Sequence, residues 1–491
     1  MKLGILIAVL AFEFLCIIAV GWYLNRQQNK QDGFLLAGRS LNWQLLSITL
    51  ALSILGTPHI YGMFEMAWFM GAASLWFGFG CSILLVVVCV FTGRWVRRLN
   101  VSSMPELMHM LFGEKMRLIL PSVMIPIIWA VMTLELQGMG ISFALMTGVT
   151  VEQGVYLGAV LGVLYVCLSG LNQVVWLNII NAIIKYVGLA VATILLTNRL
   201  PHGWAGVSQY FIDQGQPWML SIWGTPQILI SFGMSTVIAI LVNHSLGQQL
   251  MQPCMAAKND RVVANSMWMA VIVNGMLAVF TISMGLAAKS IPEFHALGPK
   301  MAAISMLLEY LPNFAIALVL AAFFGSMLSG FSIIALVTST LFTKDIYAYT
   351  SNKCMSPTEE NRVARITIIV FCILATVVAP ILPPIVTAIN WLFSWPAPIM
   401  VMCLIGLFWK RSTTAAITTM VAAWIVNMLW SFTSLPAAIG LEMLTTANVY
   451  ATLSVSIVVG ALMTALCEGK PGIFRVSEAV LTQEKAEAAQ A

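Results

Sequence analysis

A lysine inside an apolar run is the residue of this chain with the most chemistry to explain. Lys185 stands in VVWLNIINAIIKYVGLAVATILL, with no other charged side chain from Val174 to Leu196. If that run lies in hydrocarbon, placing an ammonium there costs at least ~2.5 kcal/mol, so the group needs a counter-ion, a wet cavity or a part in moving charge. Glu135, deep in PIIWAVMTLELQGMGISFALM, is a carboxylate able to pair with that lysine, a proton or a polar ligand. His59 follows Gly56, Thr57 and Pro58 in SITLALSILGTPHIYGMFEMAWFMG, and Asn243 and His244 precede Ser245, Leu246 and Gly247 in STVIAILVNHSLGQQLMQP. Ser326, Ser329 and Ser332 recur every three residues and share a helical stripe. Such a stripe either lets helices approach closely, since Gly325/Ser329 and Ser326/Gly330 are small-xxx-small pairs, or offers oxygens to a small hard cation.

The elements that position these groups follow from composition. Of 491 residues, 60% are hydrophobic and only 9% charged, and the mean hydropathy is +0.92, which describes an all-α integral membrane protein with many spans. With about 20 apolar residues needed per crossing, the chain divides into about thirteen spans, near residues 3–24, 43–70, 72–93, 118–148, 154–170, 174–196, 224–252, 265–288, 313–342, 366–383, 386–408, 413–433 and 448–467. The first has a weak positive start and no small-residue cleavage site, so it reads as a retained helix carrying Glu13. With the amino terminus outside, 19 of the 24 Lys and Arg residues fall on the cytoplasmic side and Lys2, Arg199, Lys289 and Lys300 on the other, leaving Lys185 within the membrane. That bias predicts a plasma membrane protein, the inner membrane in a bacterium, with a cytoplasmic carboxyl terminus. The net charge of +5 therefore speaks of topology and contact with the lipid bilayer, and no nucleic acid is expected.

Several function classes are disfavoured. The nine cysteines are scattered with no C-x-x-C, which indicates neither a metal cluster nor a disulfide frame. No GxxxxGK[ST] and no acidic DxxDG-like cluster occurs, so neither an ATP-driven pump nor a metal-dependent lipid transferase is supported. No nucleophile, base and orienting group share a motif, so an enzyme is not expected, nor any cofactor.

What remains is transport. Helix-breaking residues inside a membrane span are tolerated where the freed backbone lines a cavity. The breaks at Gly56–Pro58 and Asn243–Gly247 lie in corresponding positions of two five-helix blocks, residues 43–196 and 224–409, flanked by 1–42 before and by two helices, 413–467, and a tail, 468–491, after. Paired broken helices point to a midplane site in an inverted-repeat carrier. Thr57, His59, Asn243, His244 and Glu135 are the candidate solute contacts.

Three stretches add a resemblance. DGFLLAGRSLNW after the first span, AAKND after the seventh and STLFTKDIY closing the ninth resemble the signatures of the sodium:solute symporter family, in order and spacing, from residue 1 to residue 411. The resemblance implies a LeuT-type fold, a five-plus-five inverted repeat with one helix before and two after. Carried over by position, it implies a sodium site made by the carbonyls of Leu52 and Leu55 with Ser326, Ser329 and Gly330. Here the chain departs from the family, because relatives place a second hydroxyl where it has Gly330. It also has Asn178 where several relatives have aspartate, and Lys185 lies seven residues, two helical turns, beyond it. In some amino-acid carriers of this fold an equivalent lysine occupies the sodium site with its ammonium, and the space left at Gly330 would provide room for it.

The reading is a secondary active carrier importing a small polar organic solute, an amino acid, carboxylate or similar, by alternating access. It is coupled to Na+ as the family default, or else is sodium-independent or proton-coupled through Lys185. A membrane sensor that keeps the carrier fold is the rival from another class.

Overall fold

The structure, a computed structural model, describes residues 2–25, 33–168, 170–351, 355–381 and 391–476. The tail from 477 onward, the start of the first sequence motif (Asp32) and residues 386–390 of one expected span lie outside these described residues.

The chain is built from helices: α1 (Lys2–Leu24), α2 (Trp43–Ser53), α3 (Met63–Met70), α4 (Leu75–Val87), α5 (Glu114–Thr147), α6 (Val151–Cys167), α7 (Leu171–Thr197), α8 (Ser235–His244), α9 (Gln248–Met255), α10 (Met267–Ser290), α11 (Asn313–Thr340), α12 (Pro357–Val378), α13 (Ala397–Phe408), α14 (Thr413–Phe432) and α15 (Asn448–Leu466). Among the described residues, eleven helical stretches are long and apolar enough to cross a membrane. The number differs from the thirteen expected because α2 and α6 are shorter than the usual crossing, and because Pro58–Leu99 runs as one helical stretch of 42 residues. That stretch turns at Gly71, whose φ of 62° lies in the left-handed region that suits a residue without a β-carbon. The exact number of crossings is thus not fixed by length and hydropathy.

Starts and stops follow local sequence. Asn42 caps α2 by accepting from the Leu45 amide at 3.0 Å, and Thr150 with Gln153 forms a capping box at the start of α6. The helix stops after Ser53, is interrupted at Ile54, Leu55 and Gly56, and resumes at Thr57, passing into a wide π-turn over Pro58–Gly62. A second interruption, Ser245–Gly247, separates α8 from α9.

At the centre lies α11, packed on α1, α2, α5, α6, α7 and α12 and buried along nearly its whole length. α7 runs antiparallel beside it: Asn178 meets Ser329, Asn181 meets Gly325 and Gly188 abuts Leu318. Small residues permit this approach, since a β-carbon at Gly188 would lie 2.8 Å from the Leu318 carbonyl oxygen.

At the arginine-rich end the three sequence motifs are drawn into one assembly. Leu41 bridges to Ala257, with its amide donating to the Ala256 carbonyl at 3.1 Å and its carbonyl accepting from the Lys258 amide at 3.0 Å. Arg97 donates to the carbonyls of Ala257 and Lys258 at 2.6 and 3.0 Å, while Arg94 and Arg98 hold Asp260 at 3.2 and 2.7 Å. Asp345 of the third motif is buried and accepts from Ser103 at 2.8 Å.

Gly188→Ala is expected to weaken the α7–α11 contact by about 1–3 kcal/mol, the usual cost of overpacking, and to lower the melting midpoint of the purified protein. Gly4→Ala, where nothing lies within 4 Å, is the control and leaves the midpoint unchanged. Equal midpoints for the two variants would show that the helices separate without loss.

Candidate functional site

Breaking α2 releases backbone groups in the middle of the protein, and four of them meet partners from other elements. The Ala51 carbonyl accepts from Asn274 on α10 at 3.1 Å, and the Ser53 carbonyl from Gln249 on α9 at 2.6 Å. The Leu52 carbonyl takes the Leu55 amide at 3.1 Å and faces the Ser329 hydroxyl at 3.5 Å. The Thr57 amide donates to Oε2 of Glu135 at 2.7 Å. Through Gln249 the two interruptions are joined directly.

Glu135 is lodged more tightly than its hydrogen bond alone implies. Its other oxygen, Oε1, lies where a β-carbon at Gly56 would be and 3.0 Å from where one at Gly330 would be. The carboxylate therefore fills the gap between the broken helix and α11 that exists because both positions are glycine. This corrects the expectation that Gly330 leaves room for the Lys185 ammonium: the space beside Gly330 is taken by Glu135.

The hydroxyl stripe of α11 divides by role. Ser329 donates to Oδ1 of Asn178 at 2.6 Å and faces Leu52, so these three expected site residues do converge. Leu55 is buried within the break, but Ser326 turns its hydroxyl back to the Ala322 carbonyl at 2.7 Å. Ser332 caps the Ser329 carbonyl at 3.0 Å.

Lys185 is fully buried on the face of α7 that carries Asn178 and Asn181. Its Nζ has no hydrogen-bond partner and no carboxylate within 4.0 Å among the described residues. Glu135 lies within electrostatic range of it without contact. Asn178 Nδ2 is likewise buried without a partner. A helical lysine leans toward its own amino terminus, which on α7 is the direction of Asn181 and Asn178.

His59 and His244 share the walls of a central cavity with Glu135, Phe77, Cys81 and Phe393. His59 Nε2 lies 3.4 Å from Cys81 Sγ and its ring meets the edge of Phe77 at 4.8 Å. His244 packs edge-on against Phe393 at 5.0 Å. A second cavity, lined by Asn243, Gly247 and Gln248, shares His244, Gln249, Val131 and Phe393 with the first. These four side chains therefore form the partition between the two spaces. The central cavity has only about 30 Å³ of room for water, so an organic solute enters only when that partition or the opposite wall moves. Asn243 belongs to the second cavity, with Nδ2 3.0 Å from His244 Nδ1, and Thr57 acts on Glu135 and does not line the first.

Gln249, Asn274 and Phe393 were not singled out from sequence. The amides had a signal, since a polar residue in an apolar span seldom lacks a partner. Phe393 had none.

A helical membrane protein with two interrupted helices meeting at a polar centre defines the class: a carrier of the LeuT-type fold. The family model of the sodium:solute symporter family matches residues 34–423, and the chain belongs to that family. It is 24% identical to the sodium/glucose cotransporter of Vibrio parahaemolyticus over 83% of this chain and 81% of that one. To the high-affinity choline transporter 1 of Drosophila melanogaster it is 22% identical over 77% and 62%. Among solved structures, a substrate-bound, outward-open Na+-coupled sialic acid symporter superposes with a TM-score of 0.79 at 17% identity, covering 95% of this chain and 98% of that one. The homologues are transporters, and this chain is a multi-pass membrane protein of transport function.

Gly56→Ala should displace the Glu135 carboxylate, because the new β-carbon and Oε1 claim the same space. The melting midpoint is expected to fall, whereas Gly56→Ala/Glu135→Ala should melt no lower than Glu135→Ala alone, the non-additivity of groups in contact. Additive losses would mean that the two residues do not meet.

Proposed function

We propose that the chain imports a small polar organic solute, an amino acid, carboxylate or similar, by alternating access and in symport with a monovalent cation, sodium being the ion of the family. The observation that carries this reading is the convergence of the Leu52 carbonyl, the Ser329 hydroxyl and Asn178 Oδ1 at the break in α2. Such a set of oxygens suits a hard cation. His59, His244 and Gln249 offer hydrogen bonds to the solute, Phe393 with His244 separates its site from the neighbouring cavity, and Asn243, which lines that neighbouring cavity, meets the solute when the partition opens. The inverted repeats are residues 43–196 and 224–409. The arginine-rich end faces the cytoplasm of a bacterial inner membrane, with the amino terminus outside. No organic cofactor takes part, and the chain catalyses no covalent step.

One observation favours a second reading. Lys185 presents an ammonium without a hydrogen-bond partner among the described residues, on the face of α7 that carries Asn178. An ammonium is a monovalent cation with three donors, and lodged there it would make uptake independent of sodium.

Melting of the purified protein against amino acids, carboxylates, sugars and nucleobases identifies the solute, since a ligand at 100 times its dissociation constant stabilises by about 2.7 kcal/mol. Uptake of that solute into proteoliposomes is expected to fall when sodium is replaced by choline. Persistence in choline together with loss in Lys185→Ala would establish the second reading instead. His59→Ala and Asn243→Ala should each weaken uptake while leaving expression intact, and unchanged affinity and rate in both would place the solute elsewhere.

Ser329→Ala should impair coupling more than Ser332→Ala, because it leaves Asn178 Oδ1 buried without its donor, a loss of about 1–3 kcal/mol, and removes a cation ligand. Equal tolerance of the two changes would reduce the stripe to helix packing.

A further inference from the structure

We propose that Glu135 supplies a carboxylate oxygen to the coupling-cation site, in the place of the hydroxyl that α11 lacks at Gly330. The proposal rests on the cation-coupled reading above and names the ligand that completes its site.

Two observations and one argument from charge lead there. The first is position. Glu135 Oε1 lies 3.0 Å from where a β-carbon at Gly330 would stand, and Gly330 follows Ser329 directly; on its other side Oε1 is pressed against Gly56, one turn beyond Leu52. An oxygen carried by residue 330 itself would project into the same gap. The second is orientation. The Thr57 amide holds Oε2, which turns Oε1 toward the two glycines and fixes the carboxylate on a span other than the two that carry Leu52 and Ser329. The third is charge. Leu52, Ser329 and Asn178 contribute only neutral oxygens, and a cation drawn from water into a buried neutral site gains no compensating charge. One carboxylate among them makes the loaded site neutral.

Lys185 fits the same arrangement. Lys185 on α7, His59 beside the break, Cys81 on α4 and His244 on α8 are cationic or titratable groups around the centre, and Lys185 makes no ion pair with Glu135 among the described residues. A single carboxylate is balanced by one positive charge, so the Lys185 ammonium and a bound metal cation are alternatives at Glu135. Both are not held at once, because the second would bring uncompensated charge into the interior. The two coupling readings thus become two occupants of one site.

The test needs no solute. Purified protein in nanodiscs is melted at one pH and constant ionic strength while sodium chloride replaces choline chloride. The wild type is expected to gain a saturable stabilisation by sodium, Lys185→Ala to show it at lower sodium concentration, and Glu135→Gln and Ser329→Ala to need at least tenfold more sodium. Glu135→Ala removes the carboxylate and vacates the space at residue 330, so Glu135→Ala/Gly330→Ser, which returns a hydroxyl there, should recover part of the response. Melting in choline alone reports whether each variant is folded. If only Lys185→Ala responds to sodium, the carboxylate is still required when Lys185→Ala/Glu135→Gln loses that response. Should Glu135→Gln keep the wild-type sodium response while Ser329→Ala loses it, the role of Glu135 is overturned and the cation site stands without it. No sodium response in either the wild type or Lys185→Ala would overturn the cation site altogether.

Discussion

The interruption of the second span, Ile54 to Thr57, is the constraint on which the rest of the structure depends. In a protein interior surrounded by hydrocarbon, a backbone group that leaves its helix must be answered by another part of the chain. The answers come from four directions: Asn274 of α10 to Ala51, Gln249 of α9 to Ser53, Ser329 of α11 toward Leu52, and Glu135 of α5 to the Thr57 amide. Each partner is itself buried or half-buried, so the break orders its surroundings as much as they hold it.

Close packing around α11 is the second requirement, and it is met by small residues. Gly56 and Gly330 admit the Glu135 carboxylate, Gly138 admits Thr57, Gly325 admits Asn181 and Gly162 receives the ring of Phe331. In a membrane, apolar side chains gain little from leaving lipid for one another, so van der Waals fit and buried hydrogen bonds carry the association. The result is a polar centre of Ser329, Asn178, Glu135 and Lys185 enclosed by Leu, Phe and Met side chains. Within such an enclosure electrostatic interactions between these groups are stronger than at a surface.

The basic end of the molecule gathers residues of the sequence motifs into one hydrogen-bonded assembly. Leu41, Ala256, Lys258, Arg97 and Asp260 tie the segment before α2 to the segment after α9. Both broken helices therefore end in one hydrogen-bonded assembly, and Gln249 joins them again at the centre.

Much of this was legible in the sequence because hydrocarbon imposes a rule on every residue along the chain. Apolar runs gave the helices, the arginine and lysine bias gave an expected orientation, and Gly-Thr-Pro and Asn-His-Ser-Leu-Gly marked the two breaks, since those residues seldom interrupt a span without a reason. Lys185 and Glu135 stood out because charged groups are costly at that depth, and Asn178 through the resemblance, because several relatives have aspartate at its position. What the sequence could not contain was who meets whom. Spacing placed Lys185 and Asn178 on one face of α7, but it could not show that Glu135, from a different helix, fills the gap at Gly330, with the ammonium unpaired among the described residues. Nor could it show that Ser326 bonds back into its own helix while Ser329 reaches across, or that Gln249 joins the breaks. Periodicity fixes directions about one helix axis; distances between helices depend on how closely glycines far apart in the chain let their backbones approach, and only the tertiary structure decides that.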